Sequence, residues 1–318
     1  MKITVIGAGR WGSFIAWYLD HIGKDVSLYG REDSSNMKRF RETGGNGIIQ
    51  LEKTTKLIYD LKEIEDSDII IISIPSQKLR DLMEELREYS LKNKIFILCM
   101  KGIEISTRKR LSQVVSEYVD YSNRIAVWIG PGHPQEFYRG VPNCMVIDSL
   151  YEDCKYYLVN EFSSELIRFY YGNDLVGNEI GAAAKNVIGI AAGALDGMNL
   201  ASLKGALMSR GTREVSRLIE GMGGNPFSAY GLCHLGDYEA TVFSKFSQNR
   251  KFGECLVTGE DYNKLAEGYY TAKAMVALGE KYHVDLPITQ MVYDVCYNER
   301  DPKDALAQLF LREVKNEF

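Results

Sequence analysis

The first thirty residues leave little choice of fold. Lys2–Ile6 is a short apolar strand, Gly7-Ala8-Gly9-Arg10-Trp11-Gly12 follows at once, Ser13–Ile22 reads as a helix and Lys24–Tyr29 as a second strand. A G-x-G-x-x-G between strand and helix inside one β-α-β unit is the context that dinucleotide binding requires. Gly7 permits the tight turn, Gly9 lets the backbone approach a pyrophosphate, and Gly12 lets helix and strand pack closely. The helix N-terminus offers N–H groups to the phosphates.

The next strands extend the same sheet. Ile69–Ile72 is wholly apolar and runs into Ser73-Ile74-Pro75-Ser76. A continuous apolar strand fits a parallel sheet covered on both faces. A helix is predicted over Gln77–Tyr89. Further strands are Ile95–Cys99, ending at Met100-Lys101-Gly102, and Ile125–Ile129, ending at Gly130-Pro131-Gly132-His133. Ligands of open parallel sheets bind at the carboxyl ends of strands. Lys101 is a candidate because of that place. Cys144–Ile147 and Leu166–Tyr171 are expected as antiparallel additions at one edge. After Asn173–Gly177 the strand pattern stops, and Leu203–Gly221, Lys264–His283 and Asp304–Asn316 read as helices. At 318 residues the chain is long for one core. The expectation is an α/β fold: an N-terminal Rossmann-type doubly wound sheet over residues 1–177, then an all-α C-terminal domain over 178–318.

One helix breaks the usual pattern. Asn178–Gly193 is small or aliphatic on all faces, as in a buried helix, yet Lys185 and Asn186 stand in its middle. Burying an ammonium without a partner costs several kcal/mol or forces it neutral. Gly181, Lys185 and Gly189 share one face. Two glycines beside a lysine imply close approach of something to that face.

Composition excludes several partners. A net charge of -5 gives no sign of a nucleic-acid surface. No apolar run reaches the roughly 20 residues of a membrane span. The N-terminus enters a strand with no signal-peptide pattern, so a cytoplasmic location is expected. Six cysteines fit no zinc or disulfide framework and read as reduced structural thiols.

The end of the second strand reports on the cofactor. An acid there binds the ribose 2′-hydroxyl, and an arginine accommodates a 2′-phosphate. In Leu28-Tyr29-Gly30-Arg31-Glu32 the arginine comes first, so NADP is favoured over NAD.

In order along the chain, Gly7–Gly12, Ile74-Pro75-Ser76-Gln77, Lys101-Gly102-Ile103-Glu104, Gly130–His133, Glu179-Ile180-Gly181 through Lys185-Asn186-Val187-Ile188, and Gly236-Asp237 through Thr241 to Ser247-Gln248-Asn249-Arg250-Lys251-Phe252-Gly253 resemble the NAD(P)-dependent sn-glycerol-3-phosphate dehydrogenases. The resemblance runs nearly end to end and includes Ala266-Glu267-Gly268. It implies a site in a cleft between the domains, a phosphorylated triose or glycerol as substrate, and a homodimer. Lys185 matches the catalytic lysine that exchanges a proton with the substrate oxygen. Lys101, Asn186, Asp237 and Thr241 match positions around the substrate, and Gly130, Gly132, Ser247, Gln248, Asn249 and Arg250 complete the candidate substrate contacts. Trp11, Arg31, Pro134 and Glu267 match positions near the cofactor. With Gly7, Gly9, Arg10, Gly12, Pro75 and Lys101 they form the candidate cofactor set.

Three departures stand out. Gly132 occupies a position that is usually serine or threonine. The segment around Ser202 lacks an asparagine and is shorter by one residue. Gln248 replaces an arginine that grips phosphate. The last departure puts the substrate's phosphate in question, and one alternative is a paralogous dehydrogenase of another hydroxy compound; a second, of another class, is a cofactor-binding sensor that turns nothing over. Intact Lys101, Lys185, Asn186 and Asp237 argue against the sensor.

Overall fold

The computed structural model describes residues 1–314, 316 and 317. Two compact units divide the chain, Met1–Lys101 with Lys109–Glu179, and Gly102–Arg108 with Ile180–Phe318.

The first unit is built on one sheet of eight strands: β1 (Lys2–Ile6), β2 (Asp25–Tyr29), β3 (Lys56–Ile58), β4 (Ile69–Ile72), β5 (Ile95–Leu98), β6 (Arg124–Ile129), β7 (Asn143–Ser149) and β8 (Ile167–Tyr171). Their order is β3-β2-β1-β4-β5-β6-β7-β8. The first six pair in parallel, with Val5 opposite Leu28 on one side and Ile71 on the other. All four residues of β4 are buried, as its unbroken isoleucine run requires. The edge is as expected: β7 is antiparallel to β6 and β8 is parallel to β7, so both run against the other six strands. A helix carries the chain from β7 to β8, and such a crossover returns the strand in the same direction.

The helices of this unit are α1 (Arg10–His21), α2 (Ser35–Thr43), α3 (Leu79–Leu86), α4 (Leu111–Ser116), α5 (Pro134–Tyr138) and α6 (Glu152–Phe162). Local chemistry sets their ends. The Ser34 hydroxyl accepts from Met37 N at the start of α2, and Gly44 ends it with φ 71°. Phe14 of α1 stacks on Phe137 of α5 at 5.0 Å, and Tyr18 meets Trp128 of β6 edge-on at 5.9 Å. Each such fully buried apolar side chain stabilises by about 1.5–3 kcal/mol.

The second unit is helical: most of α7 (Leu175–Gly197), then α8 (Lys204–Gly221), α9 (Gln248–Thr258), α10 (Glu267–Tyr282), α11 (Pro287–Tyr297) and α12 (Pro302–Phe310). The boundary between units falls inside α7. Before it, Glu179 pairs with Arg110 and accepts from the backbone N and hydroxyl of Ser112 at 2.9 and 2.6 Å, which anchors the first turns of α7. Past the boundary, Ile180, Ala183, Ala184, Val187 and Ala192 are buried on every side. α7 touches its neighbours backbone to backbone. A Cβ on Gly193 would lie 1.8 Å from the Arg250 carbonyl oxygen, and one on Gly253 would lie 2.0 Å from that of Ile190. Helices α9 and α11 have no counterpart among the sequence expectations. α12 stops at Phe310, short of the predicted Asn316, and Lys315 of that span lies outside the described residues.

Candidate active site

In the helical unit, Lys185 emerges from α7 with its side chain 12 % exposed, beside an Asp237 carboxylate with no exposure at all. Lys185 Nζ lies 2.8 Å from Asp237 Oδ2 and donates to Thr241 Oγ1 at 3.0 Å. The Thr241 hydroxyl gives its own hydrogen to the Asp237 carbonyl at 2.7 Å. It therefore turns a lone pair toward the ammonium. Thr241 sits in a widened, π-type turn over Glu239–Phe243. Such turns are rare and mark functional sites more often than other helical turns. The buried carboxylate answers the cost of the buried amine: breaking a pair like this one costs about 3–5 kcal/mol.

The glycine face of α7 is filled by protein. A Cβ on Gly181 would stand 3.0 Å from His234 Cβ, and one on Gly189 would stand 2.9 Å from Thr241 Cγ2. The close approach inferred from the glycines is that of the 234–250 segment, which brings Asp237 and Thr241 to Lys185. His234 is fully buried, and burial pushes its pKa down to about 4.

Asn186 Oδ1 accepts from Asn249 Nδ2 at 2.9 Å, and Asn249 Oδ1 accepts from Gly268 N at 2.9 Å. Asn249 thus ties α7 to the start of α10. Ser247 caps α9 by accepting from Arg250 N. Arg250 therefore stands in the first turn of a helix, not in the loop that its polar neighbours imply. Its Nε lies 2.7 Å from Asp196 Oδ2. Lys204 Nζ lies 2.7 Å from the same carboxylate and donates to the Val242 carbonyl at 3.0 Å. Two cations share one carboxylate, which leaves one positive charge. Gln248 contributes none. Tyr262 donates to its carbonyl at 3.0 Å, with the Gln248 Oε1 3.2 Å away.

In the sheet unit, the loop after β1 forms a cradle that fits a dinucleotide. A Cβ on Gly7 would meet the Ser73 carbonyl oxygen at 2.2 Å, and one on Gly12 would meet the Gly7 carbonyl oxygen at 1.8 Å. Above Gly9 there is nothing within 4 Å. The tight positions hold the turn, and the open one leaves the backbone approachable at the N-terminus of α1, as a phosphate site requires. The cradle lies where the sheet order reverses, between β1 and β4. Arg31 is exposed just past β2, while Glu32 turns aside to Arg41 at 3.4 Å. Lys101 Nζ donates to the Gly130 carbonyl at 2.6 Å and stands 5.8 Å from the centre of the Trp11 ring. Gly132 has φ +124°, and a Cβ there would lie 2.4 Å from the Phe137 ring, so this loop has no room for a larger residue. Pro134 opens α5, Pro75 precedes a short turn over Ser76–Lys78, and Glu267 opens α10.

Residues 2–155 match the family model described as NAD-dependent glycerol-3-phosphate dehydrogenase N-terminus, and residues 174–307 match the one for its C-terminus. The chain belongs to the NAD-dependent glycerol-3-phosphate dehydrogenase family. It is similar over its whole length to a glycerol-3-phosphate dehydrogenase (NAD(P)+) of Thermoanaerobacter sp. strain X514, at 34% identity with 99% of that protein covered. One from Clostridium botulinum strain Alaska E43 is 36% identical over the same shares. The crystal structure of a glycerol-3-phosphate dehydrogenase from Coxiella burnetii superposes with a TM-score of 0.92 at 27% identity, covering 98% of this chain and 99% of that one. As a glycerol-3-phosphate dehydrogenase of this family, the chain is an NAD(P)-dependent oxidoreductase with its sheet domain first and its helical domain second. No helix among the described residues is long and apolar enough to cross a membrane.

Each unit gathers its own share of the predicted site. Lys101, Trp11 and Gly130 meet in the first. Lys185, Asp237 and Thr241 meet in the second, beside Asn186 with Asn249. Sequence reasoning missed Asp196, His234 and Tyr238. Nothing in the local pattern marks Asp196, because Lys204 lies beyond the next turn and Arg250 is distant in sequence. His234 stands three residues before Asp237, and that closeness was the available signal.

Proposed function

We propose that the chain interconverts dihydroxyacetone phosphate and sn-glycerol 3-phosphate, with Lys185 exchanging the proton and NADP preferred over NAD. The observation that carries this reading is the buried Lys185–Asp237–Thr241 set. Gly7, Gly9, Arg10, Trp11, Gly12, Arg31, Pro75, Lys101, Pro134 and Glu267 are the residues that would hold the cofactor. The nicotinamide supplies the hydride for reduction and accepts it in oxidation. Asp237 and Thr241 fix two of the three N–H directions of the Lys185 ammonium. In reduction, Lys185 passes a proton from Nζ to the oxygen of the ketone as it becomes an alkoxide. In oxidation, the neutral amine takes the hydroxyl proton back. Asn186 and Lys101 stabilise the charge that develops on that oxygen.

A phosphate dianion wants a cation in a partly closed site. Arg250 and Lys204 supply it here in place of the arginine that Gln248 replaces, because Asp196 neutralises only one of them. Arg31, exposed at the end of β2, supports the choice of NADP, since Glu32 is engaged by Arg41. A cytoplasmic homodimer completes the reading. Family resemblance supports it, together with the six free thiols.

The test is Lys185→Met. Loss of a general acid lowers kcat by about 10²–10⁴, with NADPH affinity unchanged in a fluorescence titration. A variant that keeps most of its kcat removes Lys185 from the chemistry. A second reading rests on uncharged Gln248: the substrate is a hydroxy compound without a phosphate. It requires that kcat/KM for dihydroxyacetone phosphate be no better than for dihydroxyacetone. The first reading requires a large preference for the phosphate.

A further inference from the structure

We infer that His234 and Tyr238 are positioning residues, a buried hydrogen-bonded pair that locks the Asp237–Thr241 turn onto the turn of α7 carrying Lys185. The inference deepens the proposed mechanism and rests on Lys185 as proton carrier. Both side chains are fully buried. His234 Nδ1 lies 2.8 Å from the Gly181 carbonyl oxygen, and His234 Nε2 lies 2.7 Å from the Tyr238 hydroxyl. A carbonyl only accepts, so Nδ1 carries the hydrogen and Nε2 receives the one from Tyr238.

The acceptor is a telling one. Gly181 is four residues before Lys185, so its carbonyl also accepts the Lys185 backbone N–H in the helix. His234 therefore grips α7 at the turn that sets the lysine. At the other end, the Tyr238 hydroxyl lies 3.5 Å from Thr212 Oγ1 of α8. A Cβ on Gly211 would come 3.3 Å from that hydroxyl, so the helix is bare where the phenol fits. The backbones of the same two residues hold the working residues. Asp237 N donates to the His234 carbonyl at 3.0 Å, and Thr241 N donates to the Tyr238 carbonyl at 3.1 Å.

The pair also has an electrostatic consequence. The charged groups that act on His234 are Asp237 and Lys185, and the one that acts on Tyr238 is Glu214. A second cation beside Asp237 would compete with Lys185 for the carboxylate. An imidazole committed to Gly181 and Tyr238 stays neutral and leaves Asp237 to the lysine. Neither residue needs to touch substrate, which separates positioning from catalysis.

The experiment uses the full chain with His234→Ala, His234→Asn and Tyr238→Phe. Steady-state kinetics, thermal unfolding and 15N chemical shifts of the wild-type imidazole are measured. Asparagine places an amide nitrogen near the site of Nδ1 and keeps the donor to Gly181. We expect kcat about tenfold lower in His234→Ala and in Tyr238→Phe, with KM for NADPH within about twofold. His234→Asn recovers most of the kcat that alanine loses. The ring shifts show a neutral Nδ1–H tautomer from about pH 5 to 8. The inference is overturned if kcat stays within about twofold of wild type while only thermal stability falls. It is also overturned if asparagine is no better than alanine, or if the ring carries its hydrogen on Nε2. If His234→Ala does not fold, Tyr238→Phe and His234→Asn decide: a loss in the first and retention in the second support the pair, and any other pattern overturns it. Lys185→Met tests the parent reading separately, and its failure leaves the tautomer and the His234 ties unaffected.

Discussion

His234 makes the clearest case for reading one residue through its surroundings. Burial holds its pKa near 4, against an ordinary value of 6.5. Between these values the unfolded chain binds a proton that the folded chain does not, so stability rises with pH across that window. Acidification from about pH 6.5 to 4 should therefore cost wild type about 3 kcal/mol relative to His234→Asn, which has no such group. Urea unfolding of both proteins at several pH values checks this, and parallel curves would show that the histidine is not buried neutral. Glu214 acts with the opposite sign. Burial pushes it up to about 6, so its contribution is lost as pH rises, and the paired comparison with the asparagine variant separates the two. Arg31 lives at the same scale but on the surface. If it meets a 2′-phosphate, Arg31→Ala weakens NADPH by about 1.5–3 kcal/mol, as for a hydrogen bond to a charged group, and leaves NADH unchanged. Equal loss for both cofactors would place its contact elsewhere.

At the scale of the element, α7 is defined by what it lacks. Its glycines let α9 come within backbone contact, and that contact sets where Arg250 and Asn249 begin their helix. Gly193→Ala puts a methyl carbon 1.8 Å from the Arg250 carbonyl oxygen, so the helices must separate. Overpacking of this kind costs about 1–3 kcal/mol, and the displaced Arg250 should raise KM for the phosphorylated substrate. Gly205→Ala in α8 is the control. Nothing lies within 4 Å of a Cβ there, so the helix gains roughly 0.5–1 kcal/mol. Denaturant midpoints that move in the same direction for both variants would contradict the packing argument. Among the elements that sequence reading missed, α9 was missed for a physical reason. α9 holds polar and charged residues with little apolar periodicity, and it is a helix because Ser247 caps it and α7 receives Gly253. Its polar face reads as a loop until the partner is present.

The whole molecule divides into two units, and the three tryptophans report on only one of them. Trp11, Trp17 and Trp128 all lie in the sheet unit. A ligand at 100 times its Kd stabilises the state that binds it by about 2.7 kcal/mol. Saturating NADP should therefore raise the tryptophan-detected unfolding midpoint by about 5–10 °C. A tryptophan transition that ignores the cofactor would remove it from the Gly7–Gly12 cradle. The sequence alone determined the sheet apart from β3, because strand, glycine turn and helix are neighbours along the chain and their chemistry is local. It marked Lys185 as a candidate, because an amine on a wholly apolar helix must either find a partner or reach out to solvent. Family resemblance then pointed to Asp237 and Thr241. What only the tertiary structure decided is which groups satisfy which charges. Asp196 with Arg250, and His234 with the Gly181 carbonyl behind Lys185, join residues far apart in sequence. Pairing in a low-dielectric interior depends on distance through space, and a linear pattern carries no record of that distance.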